Sequence, residues 1–557
     1  MADRPGDNKM NTTAPQETAR SHAVLWTALL AAAWIVPTLV GHDPWKPDEA
    51  QNFGVVLEIL RGGHIVVPRI AGEPFLQEPP LFYLLAAATA WATQGLLPLH
   101  DGARLAAGVA MALTFAALGL TARELYGKGR GWVSVVILIG CVGLLIRGHQ
   151  LITDLGLLAG FALALYGIAL SPRRHLLAGV LLGTGLGIVF MTEGAIETAI
   201  LAAVALAVAV FETWRTPRYA ATLGIALAAA LPWLTIWPFV LYQTAPDLFA
   251  EWFLKHNLER FTGTSALALG TRADYYLRSI AWYTWPALLL AAWTLWGRRR
   301  SGYAIPGVTL PLTAFVLILA AISVAAEVRE AYALPLLLPL ALLANPAPPT
   351  LRRGASNAFL WFAVMFFTAL MAAAWFYWSA LDLGVPARLH RHLHNIQPGY
   401  AFGFVAWKFA LAAAITLAWP VVLWRLQRTP ERPVIAWAVG ITLAWALLAT
   451  LFLPWADAGK SYRAMVAEMK RAMPAQHRCV AGIGIGDSQR AMLHYYAGIV
   501  TRLEDSPART NCDLLIVQGN ARKPPAAPRG WQKLWDGARP GDKTERFWLY
   551  KRASSKQ

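Results

Sequence analysis

PPLFYLLAAATAWATQGLLP, residues 79–98, is an apolar run long enough to cross a bilayer, and whether it crosses decides on which side everything after it lies. A hydrocarbon core of about 30 Å takes about 20 helical residues. Thirteen further runs of that kind stand around it, at 22–41, 103–122, 131–147, 150–170, 176–193, 195–212, 219–243, 279–297, 304–325, 331–347, 356–381, 402–426 and 433–455. The loop charges separate the two readings. If 79–98 lies in the membrane interface, then Arg123, Lys128, Arg130, Arg173, Arg174, Arg215, Arg218, Arg298, Arg299, Arg300, Arg352, Arg353, Arg425, Arg428 and Arg432 share one side with Arg4, Lys9 and Arg20. If it crosses, the amino-terminal residues are cut off from every later basic loop, against the retention of Lys and Arg in untranslocated loops. The sequence therefore predicts thirteen spans, a cytoplasmic amino terminus and a carboxy-terminal domain on the outside.

Composition agrees with a membrane solvent. Of 557 residues 57% are hydrophobic and only 15% charged, with a mean hydropathy of +0.43; a soluble chain carries about a quarter charged residues. The formal charge of +17 does not point to nucleic acid, because eighteen of the 49 Lys and Arg are the orientation signal just described. Another eighteen lie in residues 456–557 against nine Asp and Glu, an excess that suits anionic lipid headgroups or an anionic acceptor.

The expected fold class is a mainly α, polytopic membrane protein with a small α/β domain. Residues 1–21 are polar, lack a cleavable signal and read as a disordered tail. Residues 22–455 form the membrane domain, with outer loops 42–102 and 244–278 and interfacial helices at 48–61 and 79–98. Residues 456–557 read as helix 460–473, a strand from Cys479, helix 487–497 and a strand from Cys512, a parallel pair. Cys479 and Cys512 would both begin adjacent strands in an oxidising compartment, where a disulfide persists; Cys141 sits mid-span as packing.

The outer loop after the first span reads His42-Asp43-Pro44-Trp45-Lys46-Pro47-Asp48-Glu49. Acids at a helix start have a plain explanation in capping and the helix dipole. Their recurrence is a second consideration: Glu78, Asp154, Glu193 and Glu197 fall at the same face in this topology. Ionisable groups at a membrane edge are expensive, and mark function by default. Asp154 follows Arg147-Gly148-His149, so a structural salt bridge to Arg147 is the alternative for it.

The Asp48-Glu49 pair after the first span, Glu78-Pro79-Pro80-Leu81 about thirty residues on, Asp154 about a hundred residues from the pair, and Tyr332-Ala333-Leu334-Pro335 late in the bundle together resemble the GT-C glycosyltransferases. The nearest branch is that of the bacterial 4-amino-4-deoxy-L-arabinose lipid A transferases, which are similar to the protein O-mannosyltransferases. The resemblance implies a GT-C bundle and a sugar donor on a polyprenyl phosphate, undecaprenyl above all. It also implies transfer at the periplasmic face of the bacterial inner membrane to lipid A or another envelope glycolipid, with a protein hydroxyl as the alternative acceptor. It carries over Asp48 as the essential first-loop acid with Glu49 beside it, Asp154 as the second acid and Tyr332 as a donor-phosphate ligand. The chain departs from the pattern at Gln51, where relatives often carry Arg, and at Glu78 and Glu193, where they carry Lys.

Cleaving a sugar–phosphate bond requires the leaving phosphate to be neutralised. The outer cations available are Lys46, Arg69, Arg147, His149, Lys255, His256, Arg260, Arg272, Arg278 and Arg329. Lys255, His256 and Arg260 would form one donor surface, or else a solvated loop. Alternatively Asp48, Glu78, Asp154 and Glu193 bind Mg²⁺ or Mn²⁺, hard ions that prefer oxygen. With a hydroxyl acceptor Asp48 is the candidate general base; with a phosphate none is needed, and direct displacement inverts the anomeric centre. From a different class, an ion-coupled lipid or sugar transporter would also use intramembrane acids, though near the midplane and with repeat symmetry.

Overall fold

The computed structural model describes residues 14–259, 274–324, 329–398, 400, 403–507 and 510–553. Helices dominate, and each of the thirteen expected intervals holds helix. Among the described residues seven helices are at least 18 residues long and apolar enough to cross a membrane. The first helix, Ala14–Ile35, begins inside the expected polar tail.

Two expected spans are interrupted. The 131–147 interval breaks into Gly131–Ile139 and Val142–Arg147, and 279–297 breaks into Asp274–Tyr283 and Ala287–Arg298. The breaks lie against each other: the Val142 N–H donates to the Trp285 carbonyl at 3.2 Å, satisfying a donor that an uninterrupted helix would have used. Pro286, without an N–H, stands at one break, and the Trp437 ring packs against Gly140 at the other.

Residues 79–98 fold as a helix of only twelve residues, Leu81–Ala92. At 1.5 Å per residue that is about 18 Å, short of the hydrocarbon core, as are Ala195–Ala207 and Leu334–Leu343 among the expected spans. It buries Phe82, Tyr83, Ala86, Ala87 and Ala90 against the Leu99–Tyr126 and Asp48–Gly62 helices. A two-residue hairpin, β1 (Arg69–Ile70) with β2 (Glu73–Pro74), completes the first loop. Helices His175–Glu193, Asp154–Leu170 and Leu99–Tyr126 pack in sequence to form the core that carries this loop.

The last long helix runs on to Lys460 and leads into a five-stranded sheet of order β4-β3-β5-β7-β6. Strands β3 (Val480–Ile483) and β5 (Leu514–Asn520) are the expected parallel pair, in register Val480↔Leu514, with helix Asp487–Ala497 between them in sequence. Cys479 and Cys512 are joined by a disulfide ahead of those strands. The sequence reading missed β4 (Thr501–Leu503) and the antiparallel pair β6 (Trp531–Gly537) and β7 (Glu545–Arg552).

This domain sits on the first loop. Ala491 packs into the space left by Gly54, where a Cβ would come within 2.5 Å, so the Asp487–Ala497 and Asp48–Gly62 helices approach closely. Ser488 Oγ donates to the Pro47 carbonyl at 2.8 Å, and Lys46 Nζ pairs with Glu545 at 2.9 Å. Arg463 grips both carboxylate oxygens of Asp43.

Candidate active site

The Asp48–Gly62 helix opens with its two acids pointing to different fates. Asp48 is partly exposed and its Oδ2 accepts from Arg147 Nη1 at 3.1 Å; Arg147 also donates to Gln150 Oε1 at 3.2 Å. Glu49 is turned inward and is 1% exposed. Its Oε1 accepts from Arg104 Nε at 3.0 Å and from the Leu151 N–H at 3.2 Å, and its Oε2 from the Trp45 N–H at 3.3 Å. Burial pushes the Glu49 carboxyl up, but the charge and hydrogen bond of Arg104 outweigh it and hold the group below its ordinary value. One turn on, Asn52 Nδ2 donates to the Leu151 carbonyl at 2.9 Å. Leu151 is thus held at both its N–H and its carbonyl by one face of this helix, which fixes the chain three residues before Asp154.

Asp154 is the first residue of the Asp154–Leu170 helix, and the charges acting on it are those of Asp48, Glu78 and Arg147. Among the described residues the ion pair of Arg147 is with Asp48, and Asp154 feels its charge without pairing with it. Glu78 is buried and accepts from the Tyr83 hydroxyl at 2.9 Å. Burial first, then the Glu78 charge, push that phenol well above its usual range, so Tyr83 remains a donor. Glu193 ends the His175–Glu193 helix facing Asp154, Glu78 and Glu197. It is 9% exposed, and its Oε1 has no hydrogen-bond partner among the described residues.

The turn after Glu193 explains itself. Gly194 has φ +112°, and a Cβ there would come within 2.7 Å of Asn257 Oδ1. That oxygen accepts the Ala195 N–H at 3.0 Å, so the 244–278 loop caps the following helix. Sequence reasoning missed Asn257, and it missed Tyr275, Tyr283 and Glu330, which gather around Arg147. The signal available for Glu330 was its place beside Arg329 in the Tyr332 element.

The other expected ligands fare differently. His149 is 2% exposed, with Nδ1 2.6 Å from the Leu145 carbonyl and Nε2 2.6 Å from the Trp34 carbonyl, between the Trp34 and Trp445 rings. Both ring nitrogens are committed to the fold, which corrects its expected role as a substrate donor. Lys255 is exposed and pairs with Glu251 at 3.1 Å, one turn back on its own helix. The expected cluster with His256 and Arg260 falls on the His256 side chain and on Arg260, which lie outside the described residues. Arg329 is exposed, its backbone N–H and carbonyl both bonded to the Tyr276 hydroxyl. Tyr332 is half-buried in the turn Glu330–Ala333. The expected metal set does not fit: among the described residues no three His, Cys, Asp or Glu are grouped so as to hold an ion. What the structure assembles is a cluster of acids around one arginine, at the face that bears the carboxy-terminal domain.

No family model matches the chain. It is 29% identical over 444 residues to the undecaprenyl phosphate-alpha-4-amino-4-deoxy-L-arabinose arabinosyl transferase of Pseudomonas aeruginosa (strain UCBPP-PA14), covering 76% of this chain and 75% of that one. The enzyme of the same name numbered 1 in Sodalis glossinidius (strain morsitans) is 27% identical over 335 residues, 58% of each chain. The crystal structure of ArnT from Cupriavidus metallidurans bound to undecaprenyl phosphate matches with a TM-score of 0.68 at 16% identity, over 96% of this chain and 99% of that one. The chain has the fold of that protein over nearly its whole length.

Proposed function

We propose that this protein is a glycosyltransferase that takes a sugar from undecaprenyl phosphate and places it on lipid A or a related envelope glycolipid. The reaction takes place at the periplasmic face of the inner membrane. The observation that carries this reading is the meeting of Asp48, Arg147 and Asp154 at one face of an ArnT-like fold. The curated relatives are named for undecaprenyl phosphate and 4-amino-4-deoxy-L-arabinose, and the neighbouring crystal structure holds undecaprenyl phosphate. In this reading the thirteen helical intervals all cross, with the amino terminus cytoplasmic, residues 22–455 as the catalytic domain and residues 456–557 as its periplasmic cover.

The chemistry is a displacement at the anomeric carbon. An acceptor oxygen forms the new bond, the bond from that carbon to the phosphate oxygen breaks, and undecaprenyl phosphate leaves with the electron pair. Asp48 takes the proton of a hydroxyl acceptor; a phosphate acceptor has none to give up. Arg147, already beside Asp48, faces the charge that grows on the leaving phosphate, where a fixed cation stabilises the transition state most. Asp154, near Arg147, orients it and balances its charge. Tyr332 and Arg329 lie in the element that the resemblance assigns to the donor phosphate. The acids at Glu78 and Glu193 suit a donor sugar that carries a positive charge.

The test is release of undecaprenyl phosphate by the purified protein in lipid nanodiscs supplied with undecaprenyl phosphate-4-amino-4-deoxy-L-arabinose and lipid A. Turnover that disappears in Asp48→Ala supports the reading, and no turnover with this or any other polyprenyl-phosphate sugar defeats it.

A further inference from the structure

A second site lies apart from the acid cluster. The Arg353–Asp382, Ala406–Arg425 and Arg432–Lys460 helices leave between them an open cleft that shares no residue with the cluster. Its walls are apolar and aromatic: Trp378 and Phe409, ring centroids 5.4 Å apart, and Trp455. Polar groups stand among them, the charged Asp382 and Lys408 with Tyr400 and Thr450.

Both charges sit where their own helices disfavour them. Asp382 is the last residue of a 30-residue helix, at the negative end of its dipole. Lys408 stands in the first turn of the Ala406–Arg425 helix, at the positive end. Neither makes an ion pair within 4.0 Å among the described residues. Asp382 Oδ2 and Trp455 Nε1 are buried atoms with no hydrogen-bond partner there, one an acceptor and the other a donor. An unmatched acceptor and donor at the edge of an apolar wall call for a ligand that brings both complements.

We infer that this cleft binds the headgroup of a zwitterionic aminophospholipid, its ammonium on Asp382 and its phosphodiester on Lys408 and the Trp455 N–H. A phosphoethanolamine headgroup places an ammonium with three N–H donors two carbons from a phosphodiester, so one molecule answers all three protein groups. The aromatic faces of Trp378 and Trp455 add attraction for the cation. Thr450 and Leu451 line the cleft on the side of the Arg432–Lys460 helix that runs back into the bundle, where acyl chains would follow. A glycerol headgroup lacks the cation, and a choline headgroup has no N–H to give the orphaned Asp382 oxygen.

Native mass spectrometry of the full-length protein, equilibrated with equal amounts of phosphatidylethanolamine, phosphatidylglycerol and phosphatidylcholine, reads this directly. The expected result is retention of phosphatidylethanolamine about tenfold above the other two, the scale of one hydrogen bond to a charged group. Asp382→Asn, Lys408→Ala and Trp455→Phe should each reduce it towards the phosphatidylcholine level. The conservative Trp455→Phe keeps the ring and so guards against a loss due to misfolding. Equal retention of the three lipids, or a preference that survives the Asp382→Asn, Lys408→Ala double substitution, overturns the assignment.

Discussion

Leu151 donates its backbone N–H to Glu49 Oε1 at 3.2 Å across 102 residues of sequence. The same carboxylate receives Arg104, itself 1% exposed and also bound to Asp101 at 2.8 Å. Glu49 is therefore a positioning residue: it ties the first loop to the turn that leads into Asp154. Glu49→Ala leaves the Arg104 guanidinium short of a partner in the interior, a loss on the order of 3–5 kcal/mol. The expected outcome is a large fall in thermal stability together with activity. A Glu49→Ala protein that melts normally while losing only turnover would show that Glu49 acts in the chemistry itself.

Asp48, next in the chain, should behave in the opposite way. Its pair with Arg147 is partly open to solvent, at 36% and 26% side-chain exposure, and contacts of that kind contribute about 0–1 kcal/mol. Asp48→Asn should leave the melting temperature within a degree or two. Turnover on a hydroxyl acceptor should fall by about 10²–10⁴, the usual contribution of a general base. Steady-state rates beside a melting curve check this. A rate within a few-fold of the parent protein would remove Asp48 from the proton-transfer role.

These two neighbours show how far the sequence could be read. The acids at the ends of apolar runs were legible because ionisable residues stand out against hydrocarbon-length segments. The 79–98 run was set apart by charge, because only an interfacial placement puts Arg123 and the later basic loops beside Arg20, and what the structure adds is that its helix has only twelve residues. What Glu49 does was not legible, because its partners are Arg104, at the edge of an apolar run, and the backbone of Leu151, and a backbone group has no signature in sequence. The same holds for Asn257, whose capping of Ala195 depends on a loop from another part of the chain. The broken helices at Gly140 and Pro286 read as continuous spans because hydropathy averages over a break that tertiary contacts repair.

The junction between the first loop and the carboxy-terminal domain should resist mild acid. Burial raises the Asp43 carboxyl, but the Arg463 and Ser461 hydrogen bonds outweigh it and hold the group below its ordinary value of 3.8. A depressed folded value means that the stabilisation is fully present above the unfolded value and is lost as pH falls through the folded one. The protection factors of the Arg463–Ala472 helix amides, with the intrinsic pH dependence of exchange divided out, should therefore be unchanged between pH 7 and pH 5 and fall only below about pH 4. Arg463→Met should lower them throughout. Protection that is already lost at pH 5 would place the latch elsewhere.

The disulfide closes a loop with a sequence separation of 33 ahead of β3 and β5. In the chain-entropy account a loop of that size is worth about 3–4 kcal/mol. Reduction, or Cys479→Ser with Cys512→Ser, should lower the unfolding temperature of the carboxy-terminal domain and leave that of the helical bundle in place. Two-phase thermal unfolding with and without reductant separates these, and an unchanged first transition would deny the bond a structural role.

Glu193 is the residue where stability and function should part. A buried carboxylate oxygen with no hydrogen-bond partner among the described residues carries a desolvation cost of about 1–3 kcal/mol, so Glu193→Met, which removes it at similar volume, should raise the melting temperature. Its charged neighbours are Asp154, Glu78 and Glu197, a surplus of acids. If that surplus serves a positively charged donor sugar, the same substitution should raise KM for an amino-sugar donor about tenfold or more and spare a neutral one. Such a trade of stability for activity is the mark of a functional site. The informative comparison is KM for the two donors on the Met variant: a parallel change in both would leave Glu193 as a structural defect with no part in choosing the sugar.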